Sequence, residues 1–291
     1  MIEPQAGYPL ARLTTVRTGG AAEYFAGAGS QRELRKLLAW ALQRGLDVNV
    51  VGSGSNLLVA DAGVRGLVLK LERELARIEP DRGGIRCGGG ARLPAVAARA
   101  AALGLGGIEF AVNIPGTVGG AVRMNANAYE GSLASVLDWV DIVTAEGTQR
   151  RAPGELGFAY RSSALRPSEI VARARFALAP ASPDAVRATI ASMRERRHAA
   201  QPKGIRTFGS TFKNPPGNTA GQLLADAGAS ALAVGGARFS RKHSNFVENV
   251  GGASTTDVVE LIAAGRALVA ERFGIELEPE VQLLGDVRFP W

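Results

Sequence analysis

The stretch Ile114-Pro115-Gly116-Thr117-Val118-Gly119-Gly120-Ala121 concentrates constrained backbone positions between apolar residues. The proline fixes one φ angle, and three glycines follow it within five positions. Because glycine has no Cβ, a ligand or another backbone can approach it closely. This density of glycine favours a backbone that lies against a flat ligand, and close packing of the loop on a strand is the alternative.

A second Gly/Ser stretch, Gly52-Ser53-Gly54-Ser55-Asn56, directly follows a predicted buried strand at residues 47–51. Consecutive backbone N–H groups in such a turn form a nest for an anion such as a pyrophosphate. Leu57 stands where a third glycine would complete the dinucleotide fingerprint, and the Gly-Lys-Ser/Thr of a P-loop does not follow. A phosphate-binding loop and a plain tight turn both remain open.

Apolar periodicity around these loops predicts alternating helices and strands. Ser30 and Glu33 predict a capping box, and Gly45 closes the helix that follows. One face of this first helix carries Leu34, Leu37, Leu38, Ala41 and Leu42. Further helices are predicted at about 93–103, 184–198 and 256–273, and further strands at 66–71, 139–144, 171–177 and 281–284.

The last predicted helix ends at Gly274. One of its faces carries Val258, Leu261, Ile262, Gly265, Val269 and Phe273. An Ala/Pro-rich segment at 179–183 predicts a domain boundary. We therefore expect a first domain at 1–180, with subdomains at about 1–72 and 73–180, and a linker helix with a C-terminal domain at 181–291.

The composition excludes several classes of protein. Hydrophobic residues make up 46% of the chain, which is enough for a core. The sequence contains no run of about 18 apolar residues and does not begin like a signal peptide, so we expect no membrane association. A single cysteine allows no disulfide within the chain and fits a reducing cytoplasm. With one cysteine and two histidines, we expect no metal site.

The net charge of +7 raises the question of a nucleic-acid partner. Only five of the 34 basic residues are lysine, and the basic residues are scattered rather than clustered. This distribution indicates a bias of the whole composition, so we expect no nucleic-acid binding. A basic protein that handles pyrophosphate-bearing ligands fits better, because a positive field attracts polyanions.

Three short segments combine residue types that can carry chemistry. FAYRSS at 158–163 places an arginine beside an aromatic ring, GSTFKNP at 209–215 places hydroxyls, a cation and an amide in one turn, and LEPEV at 277–281 places two carboxylates before an apolar strand. Each also has an ordinary interpretation: an exposed arginine lying along a tyrosine, a capped turn and a solvated acidic pair.

Three strings resemble motifs of the UDP-N-acetylenolpyruvoylglucosamine reductase (MurB) family: RTGG at 17–20, VGSGSNLL at 51–58 and IPGTVGGAVRMNA at 114–126. The resemblance extends over nearly the whole chain. It implies an α+β / α/β fold with a two-subdomain FAD-binding domain of the vanillyl-alcohol-oxidase (PCMH) type, followed by a smaller α+β substrate-binding domain. The short connection from Asn214 to His243 resembles the short form of the family, which lacks a tyrosine-bearing insertion.

The resemblance also implies site residues. Non-covalent FAD would be held by Val51, Gly52, Ser53, Gly54, Ser55, Asn56, Leu57, Asn113, Ile114, Pro115, Gly116, Thr117, Gly119, Gly120, Ala121 and Val171. The catalytic residues of the family map onto Arg161, Ser210 and Glu280, with Glu278 as the alternative carboxylate. Substrate contacts would come from Tyr160, Arg196, Lys213, Asn214, Lys242 and His243.

The implied reaction is NADPH-dependent reduction of a UDP-sugar enolpyruvate, in which negative charge builds on the substrate carboxylate as an enediolate. Arg161 would bind both carboxylate oxygens, Ser210 would donate a proton, and Glu280 would position or share one. We expect a cytoplasmic monomer whose only partners are small molecules. Asn127 departs from the family pattern, since glycine is common there, although asparagine tolerates positive φ.

Two other functions compete with this interpretation. An FAD-dependent oxidase of sugars or alcohols would share the fold, but such enzymes often attach flavin through His or Cys. The only such residues, Cys87, His198 and His243, lie outside the flavin loops. A non-enzymatic basic binding module would explain none of the three chemical segments.

Overall fold

The computed structural model describes residues 3–129, 131–202 and 204–291. The chain divides into two units, each built from separated segments. The first unit contains residues 3–5, Tyr24–Ser53 and Gly66–Arg197. The second contains Ala6–Glu23, Gly54–Arg65 and His198–Trp291, so two N-terminal segments belong with the C-terminal part of the chain.

The elements alternate along most of the chain. The strands are β1 (Gln5–Pro9), β2 (Ala21–Ala28), β3 (Val48–Val50), β4 (Leu57–Val59), β5 (Val64–Leu71), β6 (Ile78–Asp81), β7 (Gly84–Gly88), β8 (Leu105–Gly106), β9 (Asn127–Ala128), β10 (Gly131–Ser132), β11 (Leu137–Val143), β12 (Thr148–Arg151), β13 (Ile170–Ala177), β14 (Ala179–Pro180), β15 (Ala233–Val234), β16 (Ala237–Phe239), β17 (Val247–Asn249) and β18 (Gln282–Leu284). The α-helices are α1 (Gln31–Leu42), α2 (Leu93–Ala102), α3 (Val118–Arg123), α4 (Leu133–Val136), α5 (Pro183–Ala200), α6 (Ala220–Ala227) and α7 (Thr255–Phe273). Short 3-10 helices lie at Leu10–Arg12, Arg73–Ala76, Glu109–Asn113, Pro153–Glu155 and Ala229–Ala231.

The first unit contains a five-stranded antiparallel sheet in the order β12-β11-β13-β7-β6. Helices α2 and α3 pack against it. Their apolar residues share one core with β7 and β13, in which Phe176 is fully buried. A second core of this unit lies between α1 and the strands β2, β5 and β3, with β3 and β5 parallel.

Helix α1 confirms the predicted N-cap and corrects two details of its prediction. The Ser30 hydroxyl accepts a hydrogen bond from the Glu33 backbone N–H at 3.2 Å. The Glu33 carboxylate does not return to Ser30 but accepts from the Gly29 N–H at 2.7 Å, so the capping box is incomplete. Leu42 was predicted on the buried face and is 67% exposed, because the helix runs past the edge of its core there.

The glycine stretch at 114–120 was predicted as a loop, and its second half is helical. Helix α3 begins at Val118, so Gly119 and Gly120 lie in its first turn. Pro115 precedes the helix, where its missing N–H costs no intrahelical bond. The other predicted helices and strands are present, and none of their ends is shifted by more than two residues.

In the second unit, α7 packs on the antiparallel sheet β15-β16-β17 and α6 packs on α7, and β18 pairs in parallel with β4. Its core also includes Val16 and Leu58 from the N-terminal segments. In α7 the predicted buried face is confirmed at Gly265, where a Cβ would overlap the buried ring of Phe239. Phe273, predicted on the same face, is 37% exposed in the last turn.

The N-terminus of α7 is capped from a distant segment. Asp61 accepts the backbone N–H of Thr255 at 2.8 Å and that of Thr256 at 2.9 Å, together with the Thr256 hydroxyl at 2.8 Å. Burial opposes the charged carboxylate, but these hydrogen bonds outweigh it and lower the pKa of Asp61 below its ordinary value. None of the helices in the described residues combines the length and apolar character that a membrane crossing requires.

The Asp61→Ala substitution should lower the free energy of unfolding by about 0.5–2 kcal/mol, because two N–H groups of α7 lose their acceptor. Since the folded-state pKa is lowered, this contribution is present above the ordinary carboxyl pKa and disappears as the pH falls below about 4. Chemical denaturation of wild type and variant across this pH range measures the difference. Asp286→Ala is the control, and an equal loss in both variants would contradict the capping role.

Candidate functional site

The Gly/Ser stretch at 52–56 is fixed by contacts within each unit. A Cβ at Gly52 would overlap the Thr117 hydroxyl, which brings two predicted FAD residues together in the first unit. Gly54 has φ +60°, and a Cβ there would overlap the carbonyl oxygen of Leu13. In the second unit, the Asn56 side-chain amide donates to the Glu280 carbonyl at 3.1 Å. Glycine is therefore required at 52 and 54 by the packing of the chain itself.

The glycines at 116–120 have different environments. A Cβ at Gly119 would come within 3.1 Å of the Gly89 carbonyl and 3.3 Å of the Val171 carbonyl, so close packing explains this glycine. At Gly120 the nearest atom would be the Thr117 hydroxyl at 3.6 Å, and at Gly116 a methyl carbon of Ile114 at 3.9 Å. The chain's own packing does not require glycine at 116 or 120, which favours close approach of a ligand there. The residues present therefore fit a flat cofactor on this loop.

Asn113 joins the 3-10 helix before this loop to helix α5. Its side-chain amide donates to the Tyr129 hydroxyl at 2.9 Å and to the Met193 carbonyl at 2.8 Å. Its own carbonyl accepts from the Arg197 guanidinium at 2.5 Å. The predicted residue Arg196 lies over the Tyr129 ring at 5.1 Å, a cation–π distance. Tyr129 and Arg197 carry no local sequence signal of this role, because nothing near them in the sequence indicates that α5 packs against this loop.

Arg161 lies in a tight turn of the first unit. Ala159 and Ser162 exchange backbone hydrogen bonds at 3.1 and 3.3 Å, which closes the turn. Arg161 has φ +57°, in the left-handed region that arginine rarely adopts. Its guanidinium donates a hydrogen bond to the Asn127 carbonyl at 3.2 Å. The guanidinium carbon lies 5.4 Å from the centre of the Tyr160 ring, and Tyr160 is 50% exposed. An exposed arginine lying freely along a tyrosine does not describe this geometry.

The segment before this turn contains Asn127, which stands where the family commonly has glycine. Asn127 lies in strand β9 and does not use the positive φ that asparagine tolerates. Positive φ occurs instead at Asn125 (+40°) and Tyr129 (+49°). The residue that departs from the family pattern therefore has an ordinary extended conformation.

The second unit brings Ser210 and Glu280 into neighbouring segments that are joined by isolated backbone bridges. The segment Ser210–Lys213 lies between residues 245–246 and residues 278–280. Thr211 donates its N–H to the Asn245 carbonyl and accepts at its carbonyl from the Glu280 N–H, both at 2.8 Å. Glu280, the predicted carboxylate, thus bonds the residue that follows Ser210, the predicted proton donor.

The two candidate carboxylates have different surroundings. Glu278 forms an ion pair with Lys213, and its side chain is 69% exposed. Glu280 is half-buried, and its backbone is bonded on both sides, to Thr211 and to Asn56. A largely exposed carboxylate is a poor candidate for acting on an enclosed substrate, so the difference in exposure favours Glu280.

The predicted substrate residues of the second unit have partners within that unit. The Asn214 side-chain oxygen accepts from the Ala220 N–H at the start of α6, at 3.0 Å. The Lys242 ammonium donates to the His198 carbonyl at 2.7 Å. His243 packs on Phe246 at 4.7 Å, and burial lowers its pKa, so its imidazole is neutral at neutral pH. Asn214 and Lys242 are thus engaged in hydrogen bonds with the chain, and His243 is engaged through its ring.

Cysteine and metal chemistry find no support in the part of the chain that the structure describes. Burial raises the pKa of the Cys87 thiol to about 12, so the thiol is neutral and unreactive. No group of three His, Cys, Asp or Glu side chains in the described ranges could hold a metal ion.

Comparison with protein families gives two matches. Residues 22–153 match an FAD binding domain, and residues 201–284 match the C-terminal domain of UDP-N-acetylenolpyruvoylglucosamine reductase. The first match contains the glycine stretches at 52–56 and 114–120, and the second contains Ser210 and Glu280.

Relatives match almost the whole chain. A UDP-N-acetylenolpyruvoylglucosamine reductase of Symbiobacterium thermophilum is 46% identical over 97% of this chain and 92% of its own length. A second, of Anaeromyxobacter dehalogenans, is 44% identical over 96% of this chain and 84% of its own. Among solved structures, the MurB reductase of Thermus caldophilus is 35% identical, covers 98% of this chain and 99% of its own, and superimposes with a TM-score of 0.85.

The different environments of the glycines predict different effects of substitution. Gly120→Val should leave the melting temperature nearly unchanged and weaken FAD binding at least tenfold (about 1.4 kcal/mol), because its side chain would occupy space that only the ligand needs. Gly54→Val should lower the melting temperature, because it forces backbone atoms apart. Flavin absorbance and thermal melting measure the two effects, with Gly147→Val as control. Full flavin occupancy in Gly120→Val would remove this position from the cofactor site.

Proposed function

Because the chain belongs to the UDP-N-acetylenolpyruvoylglucosamine reductase family, we propose that it takes its reducing equivalents from NADPH and reduces its substrate with Arg161, Ser210 and Glu280. It is an FAD-dependent oxidoreductase of bacterial peptidoglycan synthesis that acts on small molecules, namely UDP-N-acetylglucosamine enolpyruvate and its reductant. Membership of this family excludes the two competing functions, an FAD-dependent oxidase of sugars or alcohols and a non-enzymatic basic binding module.

The backbone hydrogen bonds that join residues 211–213 to residues 278–280 are the observation that carries the proposal. They support assigning Ser210 and Glu280 to the same substrate, because the Glu280 N–H bonds the residue next to Ser210. Thr211 is fully buried between the two segments, and Ser210 next to it is half-buried. Serine is a weak acid, so its proton transfer is favoured when bound substrate excludes water from the half-exposed hydroxyl.

Each residue then has a definite task. FAD, when bound, supplies the hydride for the enolpyruvyl double bond. Arg161 binds both oxygens of the substrate carboxylate and stabilises the charge that develops there. Ser210 donates the proton to the carbon next to the one that receives the hydride. Glu280 positions the substrate carboxylate or shares a proton with it. Lys213 is paired with Glu278, so a contact with substrate has to compete with that ion pair.

The assignment of the cofactor residues is part of the same proposal. Gly116 and Gly120 supply the backbone on which the flavin lies, and Gly52 with Thr117 supplies the turn beside it. We assign FAD binding to residues 1–180 and substrate binding to residues 181–291, within which the two matched family domains fall. We further propose a monomer that works in the cytoplasm, where its buried single cysteine stays reduced.

Ser210→Ala should separate the two half-reactions. Reduction of the flavin by NADPH should stay within about twofold of wild type, whereas reoxidation by the enolpyruvyl substrate should slow by roughly 10²–10⁴-fold because the general acid is lost. Stopped-flow absorbance at the flavin band measures each half. Ser230→Ala, in the short helix Ala229–Ala231, is the control. Equal slowing of both halves would assign Ser210 to folding or to flavin positioning instead.

Arg161→Lys keeps the charge and loses the two-pronged contact with a planar carboxylate. Because this contact strengthens as charge develops, we expect kcat to fall about 100-fold with only a modest rise of the substrate KM. Flavin reduction by NADPH should be little changed. Steady-state and stopped-flow kinetics provide these values. If only KM rises, Arg161 binds the ground state and the charge-stabilising role is wrong.

A further inference from the structure

The turn that carries Arg161 belongs to a longer segment, residues 159–169, that is fixed by the guanidinium of Arg123. Arg123 ends helix α3, directly after the glycine stretch. It donates to the carbonyls of Leu165 at 3.0 Å, Arg166 at 3.1 Å and Glu169 at 2.7 Å. One rigid, planar group therefore gathers three carbonyls of an irregular segment.

Three further hydrogen bonds join the same two stretches of chain nearer to the turn. The Ser163 hydroxyl donates to the Arg123 carbonyl at 2.8 Å. The Asn125 side-chain amide donates to the Ala159 carbonyl at 3.1 Å, and Arg161 itself donates to the Asn127 carbonyl at 3.2 Å. Residues 123–127 thus hold the segment on both sides of Arg161.

This attachment explains how Arg161 keeps its conformation. A non-glycine residue with φ +57° persists only where its surroundings determine the backbone. Asn125 holds the carbonyl at the start of the turn, and Ser163 lies just after its end. Without the contacts of residues 123–127, the turn would relax to a conformation that aims the guanidinium elsewhere.

The positive charge of Arg123 is opposed by the negative charge of Glu169, which lies in the segment 159–169. Burial lowers the pKa of Arg123, and the negative charge of Glu169 acts in the opposite direction. The Glu169 carboxylate is 1% exposed and accepts from Arg151 at 2.5 Å and Arg166 at 3.0 Å. The hydrogen bond from Arg151 is the main cause that lowers the pKa of Glu169 to about 2, so the carboxylate is charged at neutral pH. Arg123 therefore acts on the protein and not on a ligand.

We propose that Arg123 is a positioning residue that holds Arg161 in the orientation required for the reaction. It acts through the carbonyls of the segment 159–169 and touches no reacting atom. This inference rests on the proposed role of Arg161, and its test separates the two.

The test compares Arg123→Gln and Arg123→Lys with a matched control in the same unit. Arg175→Gln is that control, because Arg175 is also largely buried and bonds a backbone carbonyl, of Arg82, together with Asp138. Hydrogen–deuterium exchange of a peptide covering 158–166 reports the order of the turn directly. Stopped-flow kinetics of the two flavin half-reactions report its effect on the chemistry.

We expect Arg123→Gln to speed exchange of this peptide at least tenfold and to slow flavin reoxidation by the enolpyruvyl substrate at least tenfold, with flavin reduction by NADPH within about threefold of wild type. Arg123→Lys should recover part of both losses. Adding Arg123→Gln to Arg161→Lys should slow reoxidation little further, because the two residues act as one unit.

Other results would overturn the inference. Unchanged exchange in both Arg123 variants would show that Arg123 does not order the turn. Equal slowing of the two half-reactions, or the same behaviour in Arg175→Gln, would reduce Arg123 to a general stabilising role. If Arg161→Lys has normal reoxidation, the proposed function of Arg161 fails by itself, and faster exchange in Arg123→Gln would still assign the ordering of the turn to Arg123.

Discussion

The three glycines at 88–90 lie in direct backbone contact with neighbouring segments of the first unit. The Gly89 N–H donates to the Ala172 carbonyl at 2.9 Å, and the Gly90 N–H to the Leu75 carbonyl at 2.7 Å. A Cβ at any of the three positions would overlap backbone atoms of another segment. Side chains would therefore push apart the sheet strand β13 and the chain that leads into β6, and the two cores of this unit would separate.

These glycines at 88–90 also fix the position of the proposed flavin loop and, through it, that of the proposed catalytic arginine. The Gly89 carbonyl accepts from the Gly119 N–H at 2.7 Å, which fixes the first turn of α3. Arg123 at the end of α3 then gathers the segment that carries Arg161. A series of hydrogen bonds, first between backbones and then from the Arg123 side chain, thus leads from the glycines at 88–90 to the half-buried Arg161 with its positive φ. Rigid support of this kind is what a charge-stabilising group needs.

The second unit depends on pieces of chain that come early in the sequence. Asp61 caps α7, Leu58 enters the core, and Asn56 bonds the carbonyl of Glu280. The C-terminal domain of the family match begins at residue 201, yet Asp61 caps its longest helix and Asn56 bonds the backbone of Glu280. We infer that a fragment starting at residue 201 would lack the groups that satisfy its helix terminus and part of its core.

Local sequence patterns determined the elements. Periodicity and caps located α1, α7 and most strands, because these signals depend on residues within four positions of each other. The motifs also gave the family and the glycine loops. Periodicity could not show where a helix outruns its core, which is why Leu42 and Phe273 were placed on the wrong side.

Only the tertiary structure decided what depends on distant partners. Gly119 and Gly120 are neighbours in one motif, and the sequence does not distinguish their roles. Gly119 packs on Gly89, whereas a Cβ at Gly120 would meet no atom of the chain too closely. Arg123 looked like any arginine in a basic protein, and its three acceptors lie more than forty residues away along the chain. Hydrogen bonds between segments that are far apart in sequence leave no local pattern, so the sequence gives the elements and the fold decides which polar groups meet.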